Sequence, residues 1–152
     1  MNEHTWNGLV EAYISIERKR KADSPPPASE AELKAMLEAA KPDGLHIPNE
    51  YVDLLRIRNG TSFNGLMLYA ADIRRTDKFR RGDMIVMNQY HWTRGEATVL
   101  GTSDIDLYVV ADANGPYRRL DRPSWDVIDE YATCDELLTS IFERQLESLN
   151  DV

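Results

Sequence analysis

Residues 59–69 read NGTSFNGLMLY: two Asn-Gly pairs, Asn59-Gly60 and Asn64-Gly65, set around Phe63 and followed at once by an apolar run. Asn-Gly is turn chemistry, because glycine enters positive φ without a Cβ penalty and asparagine tolerates it. Two pairs so close together have two readings, a ligand loop or punctuation between elements. A phosphate-cradling loop needs the spacing G-x-G-x-x-G or G-x-x-x-x-G-K-[ST], and neither is present. Punctuation is the better reading, and it defines what lies on either side. Upstream, IPNEYVDLLRIRNG opens on Pro48, which a first helical turn tolerates. Tyr51, Leu54, Leu55 and Arg58 then share one side, with Val52 beside them. A helix is predicted here, ended at Asn59-Gly60 by a left-handed C-cap. Downstream, GLMLYAADI has the length and composition of a strand. The second pair falls in the short bridge before it, and Phe63 is expected to tuck into the core.

Further upstream, Trp6, Leu9, Val10, Tyr13, Ile14 and Ile16 mostly follow helical spacing, so a helix is predicted over about residues 4–20. The run Glu17-Arg18-Lys19-Arg20-Lys21 closes it, and cations suit a helix C-terminus. ADSPPPAS then acts as a stiff connector. Ser29 and Glu32 form a capping box ahead of Leu33, Met36, Leu37 and Ala40, a second helix that Pro42-Asp43-Gly44 stops. In the second half, MIVMNQY, ATVLGTS and DLYVVAD read as strands. Asn114-Gly115 between DLYVVAD and YRRLD signals a hairpin, and DVIDEY reads as a further strand. Thr133 and Glu136 give another capping box, opening a last helix with Leu137, Leu138, Ile141, Phe142 and Leu146 on one side. The sum is an α+β domain: N-terminal helices, an antiparallel sheet meander and a C-terminal helix. Residues 1–152 are expected to form a single domain, with helices and the Pro-rich connector in 1–44 and the core in 45–152.

The 152 residues carry a net charge of −8. Residues 101–152 hold twelve Asp and Glu against four Arg and no Lys, so the whole excess sits in the last third. Such a field disfavours nucleic acid, whose phosphates seek clustered Lys and Arg. It suits either a solubilising surface or a basic partner. One cysteine, Cys134, cannot form an internal disulfide, which points to a reducing, cytoplasmic home. MNEHTWNGLVEAY lacks the basic and apolar regions of a signal peptide, and no apolar run approaches the ~20 residues of a membrane span.

Nucleophilic catalysis needs a nucleophile beside a base. His4, His46 and His91 are the only histidines, and no G-x-S-x-G elbow accompanies them. His4 falls near a terminus expected to fray. Cys134 opens the last helix, where the dipole lowers a thiol pKa somewhat, but a small buried residue is the expectation. Asp72 and Asp77 frame a basic loop, and Asp104 and Asp106 lie in SDID, read as a turn whose Asp side chains bond local backbone. No metal-ligand spacing is present, so neither metal nor cofactor is predicted, and the chain is expected not to be an enzyme. The loop ADIRRTDKFRRGD mixes five cations with three acids; it reads as a solvated loop or a grip for an acidic group. Tyr90, Trp92, Tyr108, Tyr117, Trp125 and Tyr131 are expected to be mostly core. Any exposed among acidic groups would mark a protein-binding face.

IPNEYVDLLRIRNGTSFNGLMLY resembles the signature of the SUKH superfamily, which includes fungal cell-wall-synthesis regulators and many small bacterial proteins such as the YrhA-like group. Pro48, Tyr51, Leu55, Asn59, Gly60, Phe63, Gly65 and Tyr69 carry the match. LGTSDIDLYVVADANGPY and DRPSWDVIDEYATCDELL look like the family's sheet and closing helix, so the resemblance covers about residues 45–142. It implies a protein-binding module, an immunity protein that neutralises a bacterial protein toxin, and many such toxins are basic nucleases. The alternative it implies is a regulatory or scaffolding domain bound to host proteins. Pro48, Tyr51, Asn59, Gly60, Phe63 and Gly65 carry over as fold determinants only. The residues expected at the partner surface are Tyr90, Trp92, Asp104, Asp106 and Tyr108.

Overall fold

The computed structural model describes residues 3–73, 81–91, 97–112 and 114–150. In chain order they form α1 (Asn7–Lys19), α2 (Glu30–Ala40), α3 (Asn49–Ile57), β1 (Thr61–Phe63), β2 (Leu66–Leu68), α4 (Met84–His91), β3 (Thr98–Thr102), β4 (Asp106–Val110), β5 (Tyr117–Asp121), β6 (Val127–Tyr131) and α5 (Cys134–Asn150). The strands make one antiparallel sheet in sequence order, β1 to β6. The predicted α+β class, with helices first, then a meander, then a helix, is what the chain adopts. Among the described residues no helix is long and apolar enough to cross a membrane.

Local chemistry accounts for most element ends. The Ser29–Glu32 capping box is closed in both directions. At α5, Thr133 Oγ1 accepts the Glu136 N–H at 3.1 Å, while the Glu136 carboxylate reaches back to the Ala132 N–H rather than that of Thr133. The second Asn-Gly pair forms the β1–β2 hairpin, with φ of 56° at Asn64 and 78° at Gly65, positive at both central residues as a two-residue hairpin turn requires. TSF is therefore a strand, where a bridge was expected.

Three other expectations change. MIVMNQY is helix α4, not a strand. Asp83 caps it, its Oδ1 accepting the Ile85 and Val86 N–H groups at 2.9 and 3.0 Å. A short apolar run is equally compatible with a strand and a buried helix, and the cap decides. GLMLYAADI is strand only over Leu66–Leu68; Tyr69 adds one bond to Leu100, and Ala70 bridges to Asp83. At the first Asn-Gly pair, the helix ends because Arg58 turns extended (φ −152°), not through a left-handed cap at Asn59. Gly60 has φ of 88°, and a Cβ there would sit 2.9 Å from the Ala70 Cβ.

Two buried asparagines act as substitute strands. Asn59 Oδ1 accepts from the Ala71 N–H and its Nδ2 donates to the Ala71 carbonyl, at 2.7 and 3.0 Å. Asn88 on α4 does the same for Val99, at 2.7 and 2.8 Å. Each side chain satisfies backbone groups that would otherwise be buried without partners.

The core gathers Trp6, Tyr13, Tyr51, Tyr69 and Phe142 with the aliphatic residues of the helices and sheet. Tyr13 meets Phe63 and Phe142 edge-on at 5.5 and 5.4 Å. Pro48 caps α3, and the Tyr51 hydroxyl donates to the carbonyls of Tyr69 and Leu100. Within this core Arg58 pairs bidentately with Glu17, both contacts at 3.0 Å, and lies 5.6 Å over the Tyr13 ring. Glu17 thus points inward from the charged run that closes α1.

Candidate functional site

The β3–β4 and β5–β6 turns and the end of α4 converge on one aromatic cluster. At the β5–β6 turn, Asp121 Oδ2 accepts from the Ser124 N–H and hydroxyl, and the Trp125 N–H donates to the Asp121 carbonyl at 2.7 Å. This holds Trp125 at φ of 65°, a strained backbone for a bulky residue. Its ring lies 6.5 Å from His91, which is edge-on to Tyr90 at 5.8 Å. His91 Nε2 is 2.6 Å from the Tyr69 hydroxyl. Burial pushes the Tyr69 phenol pKa up, so Tyr69 keeps its proton. Burial, helped by the Arg122 charge, lowers the His91 pKa below its ordinary value, which favours the neutral imidazole. Arg122 bonds the Ser103 carbonyl at 3.0 Å, and its N–H donates to the Ile105 carbonyl. That bond ties the β3–β4 turn to the β5–β6 turn.

Large apolar side chains are exposed around this cluster. Tyr90 is 80 % exposed, Ile105 66 % and Trp125 39 %. Val127 and Ile128 continue the exposed set beyond Trp125, and Val86 lies one turn before Tyr90 on α4. Ile128 is the extra residue where β6 shifts register against β5. A bulge of this kind re-aims side chains and roughens an edge strand.

Of the residues predicted for the partner surface, Tyr90 is 80 % exposed and Asp104 is exposed in the β3–β4 turn. Trp92 lies outside the described residues, as do Asp77 and most of the basic loop. Asp106 and Tyr108 do not belong to the surface. All five residues of β4 are buried, because this strand is flanked on both sides and covered on both faces. Asp106 pairs with Arg119 at 3.3 Å, and Arg119 also pairs with Asp129. These two positions therefore contribute a buried charge pair and a core tyrosine. In SDID, the Ser103 hydroxyl, not an Asp carboxylate, accepts the Ile105 and Asp106 N–H groups.

Sequence reasoning missed Trp125, Ile105 and Arg122. The turn DRPSW held a signal, since a Trp straight after turn-forming residues has little room to reach a core. His46 donates its backbone N–H to Thr98. Cys134 is buried, and burial pushes its thiol pKa up, overriding the lowering expected from the helix dipole. Among the described residues no group of three or more His, Cys, Asp or Glu is placed to hold a metal ion. In comparisons with known proteins, no family model matches the chain and no curated protein matches it.

Proposed function

We propose that this chain is a protein-binding module of the immunity type, which neutralises a bacterial protein toxin by direct binding. The observation that carries the reading is the exposed apolar surface of Tyr90, Ile105 and Trp125 beside Arg122. Tyr, Trp and Arg are the residue types that dominate interface hot spots, and exposed apolar patches mark interaction sites. The acidic last third, net −8, supports a basic partner. Its field speeds encounter, and burial of the aromatic anchors slows release. The resemblance to SUKH proteins supplies the toxin as the class of partner. The bound module acts by covering the toxin's basic active surface.

The test is binding and growth protection against toxins encoded beside this chain, measured for the native protein and for Trp125→Ala. The native protein is expected to bind and protect. The variant is expected to lose at least about tenfold in affinity, some 1.4 kcal/mol. Binding and protection unchanged in Trp125→Ala would overturn the surface. No binding to any neighbouring toxin would overturn the immunity reading and favour a regulatory or scaffolding partner.

A further inference from the structure

The segment ahead of α1 fastens onto two remote helices through one side chain. His4 Nδ1 lies 2.9 and 3.1 Å from the two carboxylate oxygens of Asp135 on α5, and its Nε2 lies 2.9 Å from Asp53 on α3. The ring stacks on Trp6, centroids 4.6 Å apart and planes within 6°. Trp6 is fully buried and donates its indole N–H to the same Asp135 oxygen at 2.8 Å. Thr5 adds a 2.7 Å hydroxyl contact to Thr139 of α5. The His4 side chain is 7 % exposed, so the terminus expected to fray is anchored here.

A neutral imidazole has one donor and one acceptor nitrogen. With a carboxylate on each nitrogen, the neutral ring would turn a lone pair toward one of them. Only the imidazolium donates to both. We propose that His4 is a proton-operated latch, which as an imidazolium clamps residues 3–6 across α3 and α5 and on losing its proton loosens them.

The surrounding charges favour the closed form. Asp53 is shared with Arg56 at 2.7 Å, and Arg56 turns its other edge to Glu30 at the start of α2 at 2.9 Å. Glu3 lines the same cleft of about 690 Å³ between the segment and α3. The groups around His4 are thus Glu3, Glu30, Asp53 and Asp135 against Arg56, and removing the ring's proton deepens an existing excess of negative charge. Burial lowers the His4 pKa, but the carboxylates of Asp135 and Asp53 outweigh it and hold the ring above its ordinary 6.5. A group raised in the folded state stabilises fully below the unfolded value of about 6.5, and the stabilisation fades as pH rises through the folded value.

The experiment is an NMR titration of the His4 ring in the full chain. It is joined to amide-exchange protection of residues 7–10 across pH, in the native protein and in His4→Gln. His4 is expected to titrate above 6.5, with both ring nitrogens protonated below its midpoint. Protection is expected to be several-fold higher in the native protein than in His4→Gln at acid pH, the two converging above the His4 midpoint. A contact without a protonic role would separate the two proteins equally at every pH, and that result would overturn the latch. So would a His4 midpoint at or below 6.5, which needs no variant and decides the matter even if His4→Gln folds poorly.

Discussion

His4 and His91 both lie against a tryptophan, in opposite surroundings. His4 stacks flat on buried Trp6 with a carboxylate on each nitrogen. His91 meets half-exposed Trp125 edge-on, shares a hydrogen bond with a tyrosine and stands in the field of an arginine. The surroundings of the first histidine favour its charged form and those of the second its neutral form. The first tryptophan is a cornerstone of the core and the second is presented to solvent. Similar side chains become structural fasteners where packed helices supply their partners, and become available surface where two turns and a helix end supply them.

The largest effect separates the two tryptophans. Trp6→Ala is expected to cost about 3–5 kcal/mol, as truncation of a buried aromatic does, whereas Trp125→Ala is expected to cost less than about 1 kcal/mol. Urea unfolding of both variants measures this, and equal losses would break the comparison. Next is Asp135→Asn, which weakens the acceptor on which His4 and Trp6 converge. It is expected to cost about 1–3 kcal/mol at pH 6 and less above the His4 midpoint, where the native ring has lost its proton.

A smaller effect sharpens the comparison from the other side. The folded pKa of His91 is lowered, so the unfolded chain takes up this proton first as pH falls through about 6.5. His91 therefore subtracts stability on the acid side, the reverse of His4. His91→Asn is expected to flatten the acid limb of a melting-temperature profile while leaving the alkaline limb set by His4 in place. A steeper acid limb in the variant would show that His91 is not held neutral. The smallest change is Tyr90→Ser, expected within about 0.5 kcal/mol of native stability, since the side chain is mostly in water. A larger loss would mean that Tyr90 serves the fold rather than a partner.

The sequence by itself determined the features that local chemistry controls. The Ser29–Glu32 box, the apolar spacing of α1, α2, α3 and α5, and the β4–β5 hairpin signalled by Asn114-Gly115 were legible because each is decided within a few residues. The acidity of the last third was legible by counting. Tertiary structure alone decided that MIVMNQY coils, that Asp106 and Tyr108 are buried, that Trp125 faces solvent, and that His4 is clamped. The physical reason is range: burial in β4 depends on its neighbours on both sides of the sheet, and the partners of His4 lie 49 and 131 residues away in the chain. Local pattern records what a residue prefers, and only the folded chain brings up the distant charges and surfaces that decide which preference is met.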